Sequence, residues 1–191
     1  MLSYLLSDIF PFLIYSGWNM ARLVATLLFV GQAAFVYARD NCFPGTTATL
    51  SSPTKRYSLT WEAPKNDDDT HHLFITQPTK RELLAFEREV CIHWAPSERF
   101  FAVSDYVGSN VAEVYLYDAE HGFSARNLTD YLPTVQKTKL GKSSHGYVEA
   151  TGWEKNGLRI HVWGDLLALD AREDFEFRMV CKVTSASIQC H

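Results

Sequence analysis

From residue 57 onward, apolar side chains recur at every second position in this chain, and that period limits the fold more than any other feature. Successive side chains of an extended strand point to opposite faces, so period two marks a strand with one buried face. In "YSLTWEA" (57–63), Tyr57, Leu59, Trp61 and Ala63 share one face, while Ser58, Thr60 and Glu62 share the other. The pattern returns in "HLFIT" (72–76), "EVCIHW" (89–94), "FFAVSD" (100–105), "VAEVYLYD" (111–118), "YVEATGW" (147–153), "LRIHVWG" (158–164) and "DFEFRMVCKVT" (174–184). Turn formers such as Ala-Pro-Ser-Glu, Val-Gly-Ser-Asn and Lys-Asn-Gly separate the runs. Short alternating runs with this punctuation predict a mainly β fold, an antiparallel sheet or sandwich built of hairpins. One inserted helix is expected in "NLTDYLPTVQKTKL" (127–140), with Asn127 or Thr129 as N-cap and Gly141 as a stop. Pro133 makes that helix either begin nearby or break there.

The N-terminal region differs in kind. Residues 1–38 carry only Asp8 and Arg22 as charges, although the whole chain holds 18 Lys/Arg and 22 Asp/Glu. From Met20 the order is a basic start, the apolar run "LVATLLFVGQAAFVYA" (23–38) and then Arg39-Asp40. That is the layout of a secretory signal peptide with a small residue, Ala38, at the cleavage position. The run is short of the ~20 residues of a spanning helix, which favours a cleaved leader over the alternative, an N-terminal membrane anchor. The expected organisation is a leader over 1–38, its signal peptide at 20–38 and an upstream extension at 1–19, followed by a single all-β domain over 39–191. The protein is then exported, periplasmic or secreted, and meets a membrane only through an uncleaved leader.

Four cysteines follow the leader: Cys42, Cys91, Cys181 and Cys190. In an exported chain an even number implies disulfides, with three full connectivities open. One pair has a geometric argument. If "VTSASI" turns at Ser185-Ala186, Val183 faces Ile188 and Cys181 faces Cys190, so Cys181 and Cys190 are expected to bridge. Cys42 with Cys91 is then the remaining pairing.

The stretch "WAPSERFFAVSD" (94–105) is strand, turn, strand, and "SSPTKRYSLTWE" (51–62) repeats it 43 residues upstream. A weaker third relative is "GWEKNGLRIHVWG" (152–164). These residues resemble the Trp-Ser-Pro-Asp-Gly-Arg repeat of TolB-type β-propellers, over roughly residues 50–118 and weakly over 147–164. The resemblance implies blade-like hairpins, a bacterial origin and binding of proteins or peptides through loops. The mature length is too small for the four or more blades of a closed propeller, so an incomplete, propeller-like sheet is expected.

The net charge of −4 with no basic block argues against a nucleic-acid partner. The histidines are scattered without a ligand motif, and phosphate-binding, dinucleotide and nucleophile-elbow signatures are absent, so no metal, cofactor or catalytic residue is expected. The polar loop after "FFAVSD" presents Asp105, Tyr106, Ser109 and Asn110 as candidate binding residues. The expected function is an exported, non-catalytic binding or accessory protein of the bacterial cell envelope, its partner an envelope protein or peptide. The alternative is a secreted hydrolase with an unrecognised His/Asp/Ser site.

Overall fold

The computed structural model describes residues 41–44, 48–63, 69–77, 79–167 and 172–191. The expected leader lies outside the described residues. Among them, no helix is long and apolar enough to cross a membrane. The described residues are mainly β, as the alternation predicts, with one α-helix among them.

The described chain opens with β1 (Cys42–Phe43), a two-residue strand that pairs with a later one. Next come β2 (Thr49–Ser51), β3 (Ser58–Glu62), β4 (His71–Ile75) and β5 (Arg81–Phe86), which form a four-stranded antiparallel meander in chain order. A second meander follows: β6 (Val90–Trp94), β7 (Phe100–Asp105), β8 (Val111–Asp118) and β9 (Ser124–Asn127). The second meander belongs to a larger sheet in which β1 flanks β6, and β10 (Ser143–Glu154), β11 (Gly157–Leu167), β12 (Arg172–Val183) and β13 (Ile188–Cys190) continue beyond β8. One pairing departs from the antiparallel expectation. β10 runs parallel to β8, with Gly146 opposite Val111 and Tyr147 opposite Ala112.

That parallel join requires a crossover, and the inserted helix supplies it. A 3-10 turn (Leu128–Tyr131) starts at Asn127, whose side-chain oxygen accepts from the Thr129 amide at 2.9 Å. The chain extends at Leu132–Pro133, and α1 (Thr134–Lys142) then begins directly after the proline. The Pro133 alternative is therefore settled as a break followed by a fresh start. Gly141 does not stop the helix, which runs on to Lys142.

All six residues of β7 are buried, because both of its faces are covered. Phe101 and Val103 pack with Leu59, Leu73 and Ile75 of the first meander. Phe100 and Ala102 pack with Val148, Ala150, Ile160 and Val162 of β10 and β11. Strands β6–β8 are thus a middle layer with an apolar core on each side. Each fully buried Leu, Ile, Val or Phe contributes about 1.5–3 kcal/mol by area removed from water. Two polar ties fix β10 against the middle layer: the Ala150 amide donates to Ser104 Oγ at 2.9 Å, and Trp153 Nε1 donates to the His93 carbonyl at 2.8 Å.

The repeated turn recurs in geometry as well as in sequence. Ser52 donates to the Tyr57 carbonyl at 2.9 Å, and Ala95, 43 residues later, donates to the Phe100 carbonyl at 2.8 Å. Lys55 (φ 64°) and Glu98 (φ 58°) occupy the same left-handed position. Arg56 lies over the Tyr57 ring at 5.1 Å and Arg99 over the Phe100 ring at 5.0 Å. The two turns also touch. Buried Glu98 accepts from the Thr54 hydroxyl at 2.6 Å and from the Thr54 amide. Burial pushes the Glu98 carboxyl up, but the Thr54 bonds, the Ser52 hydroxyl and the Arg56 charge together outweigh it and hold the group below its ordinary value. The third relative is a different device, a two-residue hairpin at Lys155-Asn156 with Glu154 opposite Gly157.

Both disulfides are formed, and no described cysteine is free. Cys181 lies opposite Cys190 and Val183 opposite Ile188, the register that the hairpin argument predicts. Cys42 lies opposite Cys91 and fastens β1 to β6. Two bridges of this kind are characteristic of an oxidising compartment.

Candidate functional site

The outer face of β10–β12 carries three rows of side chains set by strand register. One row is His145, Asp165 and Asp174; the next is Tyr147, Trp163 and Glu176; the third is Glu149, His161 and Arg178. The alternate positions, Val148, Ile160, Val162 and Met179 among them, face the core. A cleft of about 580 Å³ opens over the first two rows and reaches His161.

Its floor is an aromatic stack. Trp163 is stacked against Tyr147 at 5.0 Å between ring centroids and against His161 at 4.3 Å. Trp163 thus joins the rings of two neighbours, one across the strand pair and one along its own strand. Trp163 packs, but on the outer surface of the sheet.

Asp165 is the buried charge of the cleft, only 2% exposed. Its carboxylate accepts from the His145 amide at 2.9 Å and the Ser144 hydroxyl at 3.1 Å, with His145 Nδ1 at 3.3 Å. These contacts depend on Gly164. A β-bulge between Ser143 and His145 brings the His145 carbonyl to 2.3 Å from where a Cβ on residue 164 would sit. Gly164→Ala is expected to displace the end of β10, cost about 1–3 kcal/mol and release Asp165 from His145. A lowered urea midpoint, together with chemical-shift changes confined to residues around 143–146 and 163–166, is the check.

Glu176 rims the cleft. The Arg178 guanidinium, and beyond it His161, hold its carboxyl below the usual range; His161 Nε2 lies at 2.9 Å and Arg178 Nε at 3.2 Å. Ser144, His145 and Asp165 form a His/Asp/Ser group, but not a relay. Ser144 Oγ lies 3.1 Å from His145 Nδ1, the same nitrogen that meets Asp165. A nucleophile-activating imidazole needs the serine and the acid on opposite nitrogens.

The residues singled out in the sequence lie beside this face and brace it. The Tyr106 hydroxyl donates to Glu149 at 2.5 Å, and the Tyr147 hydroxyl donates to the Ser109 carbonyl at 2.7 Å. Asn110 Nδ2 donates to the Ser144 carbonyl at 3.3 Å, and the Gly146 amide to the Asn110 carbonyl at 3.0 Å. The loop is a strap on β10. Asp105 is separate: it is buried on the face of β7 that Phe101 and Val103 turn to the first meander, and burial, then Glu113 and Glu87, push its carboxyl up to about 6. Ser104, its neighbour, points to the opposite face and holds Ala150.

Sequence reasoning missed His145, Tyr147, His161, Trp163, Asp165, Asp174 and Glu176. The available signal was the outward half of each alternation in β10, β11 and β12, rich in rings and carboxylates where a plain solvent face carries Lys, Thr and Ser. Among the described residues, the one group of His, Cys, Asp and Glu whose ligand atoms converge is Cys42, Glu89 and Cys91, and its two sulfurs are bonded to each other. No family model matches the chain, and no curated protein or solved structure compared with it does.

Proposed function

We propose that this chain is an exported, non-catalytic binding protein of the bacterial cell envelope, with the outer face of β10–β12 as its binding surface and an envelope protein or peptide as its partner. The observation that carries the reading is the cleft itself, where Asp174 and Glu176 rim an aromatic stack and Asp165 is held in place by three contacts from β10. A buried, oriented carboxylate beside aromatic rings suits recognition of a cationic or hydrogen-bond-donating group. The two disulfides support export. The TolB-type reading of the two matching turns belongs to the same proposal, with β2–β5 and β6–β9 as two blades of an incomplete propeller. Binding is preferred to hydrolysis because Ser144 and Asp165 share one imidazole nitrogen of His145.

The test compares immobilised wild type with Glu176→Lys and Trp163→Ala on envelope extract. The expected result is one retained partner, identified by mass and bound again in purified form, whose retention falls at least tenfold on both variants. Equal retention by all three proteins overturns the assignment of the face. Ester, phosphate, glycoside or peptide turnover that disappears in His145→Ala overturns the non-catalytic reading in favour of the hydrolase.

A further inference from the structure

We infer that the outer edge of β12 is a docking rail for an extended, basic segment of the partner, which adds to the sheet as an antiparallel strand and lays its cationic side chains along the cleft. The inference rests on the binding role proposed for this face. β12 pairs with β11 from Arg172 to Cys181, but with β13 only at Cys181–Val183. The second pairing closes at Val180, whose amide and carbonyl both exchange hydrogen bonds with His191. In an antiparallel ladder, residues that bond one neighbour alternate with residues that bond the other. Val180 bonds away from β11, so Arg178 and Glu176 direct their backbone groups to the same outer edge. Met179, Phe177 and Phe175 face the other way, towards Ile160, Val162 and Gly164. Among the described residues, no strand pairs with β12 beyond β11 and β13. An edge of this kind is a template for an added strand.

Parity also fixes what the added strand must carry. Directly opposed residues share a face, so the partner residues opposite Glu176 and Asp174 project on the cleft side of the sheet, next to those two carboxylates and one strand beyond the row of Trp163 and Asp165. Glu176 keeps half its side chain in solvent (54%) while it holds His161 and Arg178. Its remaining acceptor sites favour Lys or Arg there, and the Asp174 carboxylate favours the same two positions further on. An acidic residue suits the position opposite Arg178. The residues opposite Phe177 and Phe175 lie on the apolar side and favour Val or Ile. In chain direction the pattern is acidic, apolar, basic, apolar, basic. A second copy of β12 fits less well: a two-fold pairing that matches Asp174 with Arg178 puts Glu176 against its own equivalent, and opposed like charges destabilise a ladder.

The experiment is amide hydrogen exchange by NMR on the full chain, alone and with a synthetic peptide containing Glu-Val-Lys-Val-Lys. The expected result is fast exchange at Glu176 and Arg178 in the free protein. Saturating peptide then slows both at least tenfold, while Phe175 and Phe177 are slow throughout. The charge-reversed peptide Lys-Val-Glu-Val-Glu, or the first peptide N-methylated at its Glu and first Lys, leaves both amides fast. Glu176→Lys weakens the peptide at least tenfold. Protection of Glu176 and Arg178 in the free protein overturns the inference, and protection that grows with protein concentration assigns the edge to a second copy instead. Unchanged exchange at millimolar peptide also overturns it. If the envelope partner is still captured through the cleft in that case, the edge reading alone has failed; if no partner is captured, the binding role fails with it.

Discussion

Replacing Cys42 and Cys91 together by alanine lowers the stability of this protein by about 4 kcal/mol, and replacing Cys181 and Cys190 lowers it by about 2.7 kcal/mol, on a chain-entropy account of the cross-links. The difference follows from loop size: the first bridge joins residues separated by 49 positions, the second by 9. Structure adds to the first figure. β1 is two residues long, and apart from the bridge it is held by Asn41, whose carbonyl accepts from the Ile92 amide at 2.8 Å and whose side chain donates back to the Ile92 carbonyl at 2.6 Å. Without the bridge the strand frays, and Phe43, 1% exposed in the core between the first meander and β6–β8, leaves with it. The second bridge only closes a hairpin that is already registered by Thr184 and Ser187. Urea midpoints of the two double variants, measured under identical conditions, check the order. A Cys181/Cys190 variant that is the weaker of the two contradicts the argument.

What the sequence disclosed and what it hid have a common physical cause. β11 and β12 are legible because each has one face in a core, which writes a period of two into the chain, and β6, β7 and β8, lying between two cores, are legible as short apolar runs bounded by turn formers. β5 is illegible because Arg81-Glu82-Leu83-Leu84-Ala85-Phe86 is built of good helix formers, and only the neighbouring β4 makes it extended. β1 has no period, since two residues cannot show one. The parallel join of β10 to β8 leaves no mark either, because it is set by what α1 and the strap at Tyr106–Asn110 permit in three dimensions. The cleft is hidden for the same reason. Its side chains come from three strands, and only register brings His145, Asp165 and Asp174 into one row. The repeated turn was visible because its chemistry is local: a left-handed residue, then an arginine beside a ring, twice at a 43-residue interval.

Asp105→Asn is expected to stabilise the protein at neutral pH and to do nothing at acid pH. Asp105 is 5% exposed, and among the described residues its Oδ1 has no hydrogen-bond partner. Burial, reinforced by the Glu113 and Glu87 carboxylates, raises its carboxyl to about 6. A raised acid holds its proton in the folded chain after the unfolded chain has released it. Stability is therefore undiminished below the unfolded value near 4, falls as pH rises towards about 6, and stays low above it. At about 1.4 kcal/mol per pH unit, the loss at neutral pH is at most about 2–3 kcal/mol. Asparagine is close in shape to the protonated acid and never ionises, so the variant keeps at pH 7.5 the stability that wild type has only near pH 4. Urea midpoints at pH 4, 5, 6 and 7.5 read this directly: the two proteins coincide at pH 4 and diverge through pH 5 and 6. A constant gap across that range places the effect in packing and removes the ionisation account. The position explains what the charge risks, because Asp105 ends β7 and begins the strap. Ionising it loosens the element through which Tyr106 holds Glu149 and Ser109 holds Tyr147. The same titration followed by the exchange rate of the Gly146 amide, which bonds Asn110, is expected to rise with pH in wild type and to stay flat, once the intrinsic pH dependence is divided out, in Asp105→Asn.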